Sequence, residues 1–152
     1  YWSVGRGANL LLNIGPDRRG LLPVRDADSL LAFGRELRRR FGAPLAGLDA
    51  FTREGDTWTC QLRTPQLLDH AVLQEDLSAG ESVRRFRLAL APYPYGDYCT
   101  VCEGTALGHK QILPFPLVRA KAVRLSVLEA AGPVRLRNLE LHNSSGVQPA
   151  AD

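Results

Sequence analysis

Two textures of hydrophobic patterning divide the chain. In the first, "NLLLNI" at 9–14 is apolar on both alternating faces, which predicts a strand covered on two sides, as in a parallel sheet with helices outside it. "GPDRRGLLP" at 15–23 follows as a turn. From Asp26 a helix is expected, because Leu30, Phe33, Gly34, Leu37 and Phe41 recur at helical spacing. Asp26 and Asp28 sit at its positive end and arginines at its negative end. Strand, loop and helix make one β/α unit. A single unit cannot cover both faces of its strand or supply the parallel neighbours its backbone needs, so it reads as the last tile of something larger.

Beyond "FGAPLAG" at 41–47 the pattern changes to short alternating strands. They are expected at 57–63, 71–75, 83–91, 97–103, 109–113, 121–129 and 134–142. Phe86, Leu88 and Leu90 alternate with arginine and alanine, and Val123, Leu125 and Val127 with Arg124 and Ser126, so each strand buries one face. The fold class expected is therefore mainly β: an antiparallel β-sandwich preceded by one β/α unit. No internal repeat or low-complexity tract interrupts it, and the tail "SSGVQPAAD" is expected to be disordered.

Composition narrows the picture. A length of 152 residues suits one small domain plus a piece of another. The chain has no methionine and enters at "YWSVGRG", which reads as an incomplete segment of a longer polypeptide with any targeting signal upstream. No apolar run approaches the ~20 residues of a membrane-spanning helix, so no membrane partner is expected. The net charge of +3 comes almost wholly from arginine, since Lys110 and Lys121 are the only lysines. Those arginines are dispersed, whereas a nucleic-acid surface needs clustering on one face. The tight group "RELRRR" at 35–40 closes the helix, where cations suit the dipole. Nucleic acid is not an expected partner.

Three cysteines make no disulfide framework. Cys99 and Cys102 form a lone C-x-x-C without the four ligands of a structural zinc site, and are expected as buried strand thiols on opposite faces. "NSS" at 143–145 is a formal glycosylation acceptor. Tyr93, Tyr95 and Tyr98, in the loop "PYPYGDY" at 92–98, offer aromatic plates of the kind that receive sugar faces, and Trp58 is a candidate to join them. The plainer reading is that these rings cover hydrophobic edges. His70, His109, Lys110 and His142 read as structural.

Both halves resemble one family, in the right order. Gly7, Asn9, Leu10, Leu11, Leu12, Asn13 and Pro16 match the "G-x-N-L-L-L-N-x-x-P" core of the final barrel strand in α-L-fucosidases. "VLQEDLSAGESVRRFRL" at 72–88 and "GTALGHKQILPFPLVRAKAVRLSV" at 104–127 are similar to the galactose-binding-like (discoidin-type) sandwich that follows that barrel. Glu81-Ser82 and Gln111 depart from the family pattern, and the region between Phe51 and His70 is shortened.

The resemblance implies that residues 1–45 end a (β/α)8 catalytic barrel, that 46–145 form the sandwich and that 146–152 are a disordered tail. It implies an exo-acting, retaining glycoside hydrolase without cofactor or metal. Its partners would be a fucosylated glycan or other carbohydrate and the remainder of the barrel. Such enzymes are secreted, periplasmic or lysosomal, with bacterial cytoplasmic forms. Retention needs two carboxyl groups ~5 Å apart, and both belong to barrel segments upstream of this chain. No catalytic residue is therefore expected here, and the fragment alone should be inactive. Asn13 and Asp17 lie at the strand end where barrel sites assemble and could support the pocket rim, although Asp17 also suits a simple turn. The alternatives are a non-catalytic carbohydrate-binding module and a structural domain shielding the barrel.

Overall fold

A computed structural model of the chain describes residues 1–146. In chain order it contains α1 (Val24–Phe41), β1 (Thr52–Glu54), β2 (Thr57–Glu75), β3 (Val83–Pro92), β4 (Cys99–Gly104), β5 (Gln111–Ala130) and β6 (Leu136–His142). Single 3-10 turns fall at Leu48–Ala50 and Leu77–Ala79. None of the described helices is long and apolar enough to cross a membrane.

All strand pairings are antiparallel, in the order β1-β2-β5-β3-β4, with β6 also on β2. The strands expected at 57–63 and 71–75 are the two ends of β2, and those at 109–113 and 121–129 are the two ends of β5. Pro65, Pro114 and Pro116 lie within these long strands. Pro65 falls inside the register shift between Gln61 and Gln66, and Pro116 in the irregular stretch opposite Leu68 and His70. A residue without an N–H is tolerated there because no ladder bond is asked of it. These bulges let two long strands pass from one layer to the other. One half of β2 pairs with β1 and with the end of β5 that carries β3, while its other half lies between β6 and the start of β5.

The two layers share one core. Leu68, Leu73, Val83, Leu88, Leu90, Leu107, Val123, Leu125, Leu139 and Leu141 are fully buried in a single cluster with Phe86 and Trp58. Gly104 lies opposite Phe86, and the ring occupies the place where a glycine Cβ would be.

The helix forms as the spacing requires, with Asp26 in its first turn and Arg38, Arg39 and Arg40 in its last. None of its residues is buried. Residues 9–14 form no strand, because no segment of the described chain lies beside them to complete a ladder. Leu10, Leu11 and Leu12 are exposed, Leu11 by 84%.

Three further expectations change. Ser144 is buried and hydrogen-bonded, so the ordered chain reaches past His142; residues 147–152 lie outside the described residues. His109 precedes β5 instead of sitting in it. Cys99 is exposed and Cys102 half-buried on β4, which is an edge strand among the described residues. Cys102 pairs with Leu88 and Cys99 with Leu90, so a bulge at Val101 puts both thiols on one face of the strand.

Candidate functional site

The motif blocks at 72–88 and 104–127 meet in space. Gln74 donates from Nε2 to the His109 carbonyl at 3.2 Å, and the Glu75 N–H donates to the Gly108 carbonyl at 3.0 Å. Buried Glu75 accepts the N–H groups of Ser82 at 2.6 Å and Val83 at 3.1 Å, which fixes the return from β2 into β3. The acidic residue of "LQE" is thus a loop anchor.

The outward face of β1, β2 and β5 carries a shallow polar groove of about 590 Å³. Strand alternation builds it: Trp58 and Cys60 point into the core, so Thr59 and Gln61 point out. Register adds Thr52 and Arg124 on either side of Thr59. Glu54 completes the rim. Arg124 is held in place by the Tyr98 ring, 3.9 Å below its guanidinium carbon.

The tyrosine loop is partly committed to such stacking. Arg119 covers one face of Tyr93 at 4.8 Å, whereas Tyr95 is 74% exposed with no stacked cation. Trp58 does not join these rings. It is 4% exposed, packs in the core opposite Leu125, and lies under Arg53 at 4.7 Å. The alternation of Trp58, Cys60 and Leu62 already carried the signal that placed it inward.

Asn13 is exposed and Asp17 half-buried. Asp17 accepts the backbone N–H groups of Arg19 at 2.8 Å and Leu21 at 3.2 Å and pairs with the Arg19 guanidinium at 2.7 Å. The Arg19 side chain, then those two N–H groups, hold its carboxyl below the usual range. All of these partners are local to a turn.

A second polar cluster, which the sequence did not announce, lies where α1, the N-terminal segment, β2 and the end of β6 converge. His70 Nδ1 is 2.8 Å from Asp69 Oδ1 and 3.0 Å from Ser144 Oγ, and its Nε2 is 2.8 Å from the Tyr1 hydroxyl. Arg40 donates to that hydroxyl at 3.2 Å and to Glu36 at 2.6 Å. Asp69 also accepts the N–H of Ser144 at 2.7 Å and of Ser145 at 2.9 Å. Burial pushes its carboxyl up, but the Ser144 N–H, His70 and the Ser144 hydroxyl outweigh it and hold the carboxyl below its ordinary value. The Phe41 ring stands edge-on to His70 and His142, with centroids 5.8 and 5.4 Å away. Ser144, His70 and Asp69 have the residue types of a hydrolytic triad without its geometry. Serine and aspartate share one ring nitrogen, and tyrosine takes the other.

Among the described residues no group of three His, Cys, Asp or Glu side chains could hold a metal ion. No family model matches the chain. The chain is similar to a protein of Oryza sativa subsp. japonica described as an α-L-fucosidase, at 25% identity over 84% of this chain and 30% of the rice protein. A crystal structure described as an α-L-fucosidase of Bacteroides thetaiotaomicron superposes with a TM-score of 0.85 at 34% identity, over 93% of this chain and 32% of that one. A glycoside hydrolase family 29 member from an unknown rumen bacterium gives 0.84 at 25% identity, over 99% and 28%. The chain thus spans about a third of the length of the proteins it matches. Sequence and fold together make the chain a homologue of the α-L-fucosidases of glycoside hydrolase family 29, and the C-terminal segment of such an enzyme is the part it fits.

Proposed function

We propose that this chain is the C-terminal part of an exo-acting α-L-fucosidase that removes terminal L-fucose with retention. Residues 1–45 are its last β/α unit and residues 46–145 its accessory sandwich. The observation that carries this reading is the bare apolar flank of the first unit. Leu10, Leu11, Leu12, Leu31, Phe33 and Leu37 are all exposed, and residues 9–14 have strand character but no ladder. An apolar surface of this extent marks an interaction site, and a parallel neighbour plus flanking helices would satisfy both faces. The nucleophile and the acid/base come from upstream barrel segments, since Asp17 is committed to its own turn. Asn13 and Asp17 then border the fucose pocket.

The test is hydrolysis of an aryl α-L-fucoside by two proteins: the chain alone, and the chain preceded by the coding sequence directly upstream. Turnover by the extended protein alone supports the reading. Turnover by neither, or by the present chain on its own, overturns it.

The polar groove favours a second role for the sandwich as a carbohydrate contact. Glu54, Gln61 and Arg124 line it and present an acceptor, a mixed amide and a donor to solvent, and exposed Tyr95 belongs to the same loop as Tyr98, which stacks on Arg124. Saturation-transfer NMR with L-fucose, galactose and fucosylated oligosaccharides checks it. Transfer that Arg124→Ala or Tyr95→Ala abolishes supports the contact. No transfer at millimolar sugar leaves the sandwich a structural accessory domain.

A further inference from the structure

The hydrogen-bond chain through His70 has a definite direction. Arginine only donates, so the Tyr1 oxygen accepts from Arg40 and must give its own proton elsewhere. Its other polar neighbour is His70 Nε2, at 2.8 Å. At the far side, Asp69 Oδ1 only accepts, so His70 Nδ1 carries the hydrogen at 2.8 Å. Both ends fit one direction: Arg40 donates to Tyr1, Tyr1 to His70, and His70 to Asp69. The two ends are anchored in different parts of the molecule. Glu36 grips Arg40 and Arg39 on the last turns of α1, and Asp69 gathers the backbone of Ser144 and Ser145 at the end of the sandwich. Arg39 adds a direct tie to the Ser144 carbonyl at 2.9 Å.

The position of this chain of bonds in the unit matters as much as its strength. Tyr1 precedes the 9–14 segment, and Phe41 and Arg40 end the helix that returns antiparallel to it in a β/α unit. Asn13 and Asp17 lie at the other end of that segment, the end at which barrel active sites assemble. The backbone contacts of the N-terminal segment agree: Ile112 N–H donates to the Gly5 carbonyl at 2.9 Å, and Arg6 bridges to Gln111 at the start of β5.

We propose that Glu36, Arg40, Tyr1, His70, Asp69 and Ser144 form a latch that seats the last β/α unit on the sandwich at the end remote from the sugar-binding mouth. The assignment of the mouth rests on the barrel reading above; the latch itself does not. His70 and Tyr1 are positioning residues, not catalytic ones. They make the sandwich a platform that presents the helix and the apolar flank in register for the rest of the enzyme.

Tyr1→Phe removes one hydroxyl, keeps the ring against Phe41 and His70, and cuts the chain of bonds at its midpoint. Amide hydrogen exchange on the present chain should show protection in residues 30–41 falling at least tenfold in Tyr1→Phe, with β3 unchanged. The ring nitrogens of His70 should report an Nδ1–H tautomer in the parent at neutral pH. His70→Asn, whose amide can still donate to Asp69, should keep the Ser144 end protected while losing the helix. Unchanged helix protection in Tyr1→Phe, a helix already unprotected in the parent, loss of β3 together with α1, or an Nε2–H tautomer each overturns the latch. In the upstream-extended enzyme, Tyr1→Phe should lower Tm and leave KM for the aryl fucoside unchanged. A raised KM overturns the placement away from the mouth, while failure of the extended enzyme to hydrolyse anything would sink the barrel reading and leave the exchange result standing.

Discussion

Leu88 and Leu90 in β3 and Leu10, Leu11 and Leu12 near the N-terminus are equally apolar, yet the first pair is fully buried and the second group faces solvent. The difference lies in what stands beside each backbone. β3 has β5 on one side and β4 on the other, so its hydrogen bonds are made and its inner face, Phe86, Leu88 and Leu90, lies in the core cluster with Val123 and Leu139. Among the described residues the 9–14 segment has no strand beside it, and Leu10, Leu11 and Leu12 stay largely exposed. Apolar pattern states what a segment needs, and only topology states whether the same chain supplies it. The sandwich is self-sufficient in this sense, and the N-terminal segment with its helix is not.

The sharpest way to test that contrast is to delete side chains on both sides of it. Phe86→Ala should cost about 3–5 kcal/mol of unfolding free energy, because a fully buried ring leaves a cavity the layers cannot close. Leu11→Ala should change the unfolding free energy of the present chain, read from urea titration, by less than about 0.5 kcal/mol, as exposed positions do. A large loss at Leu11 would mean that the N-terminal unit buries this face in solution.

Next in size is Asp69→Asn, which strikes the junction between the two regions. The carboxylate gathers two backbone N–H groups, the Ser144 hydroxyl and His70. Replacing an all-acceptor group by an amide turns one acceptor into a donor facing donors. The expected loss is about 3 kcal/mol, within the range for breaking a buried charged cluster. Gly104→Ala should cost about 2 kcal/mol by overpacking, since its Cβ would collide with the ring of fully buried Phe86. Phe86→Leu in the same chain should relieve part of that penalty, and thermal melts of the two single variants and the double variant give the coupling.

How far the sequence shows these features depends on the range of the interaction that makes them. Helical spacing from Leu30 to Phe41 and alternation from Phe86 to Leu90 are local, and both elements appear where the spacing places them. The merging of four expected strands into β2 and β5 is not local. It needs partners across the sheet to hold a strand through Pro65 and Pro116. Trp58 was legible as a core residue from its alternation with Cys60, and its aromatic character alone suggested a surface plate. The His70 cluster was the least visible, because Tyr1 and Ser144 reach it across 69 and 74 positions. Its one local trace is Asp69-His70 standing as a polar pair inside the apolar run "LLDHAVL".

The smallest effect expected is a dependence of stability on pH at this same junction. Burial holds His142 below its ordinary pKa, against the opposing pull of Glu140. The folded state therefore keeps this ring neutral in a range where the unfolded chain, with a pKa of about 6.5, already takes up a proton. As pH falls through that value the unfolded state binds more protons and stability declines. Asp69 acts lower down. Its folded pKa is depressed, so its contribution is complete above the unfolded value of about 3.9 and is lost as pH falls through the folded one. Urea midpoints taken from pH 8 to pH 3 should show two declines, one setting in near 6.5 and one below 4. His142→Leu should flatten the upper decline and leave the lower one. If the upper decline persists in that variant, His142 is not its source. The loss at Asp69 should then be sought as a separate event, visible in the helix before it reaches β3, because the junction and the core are held by different bonds.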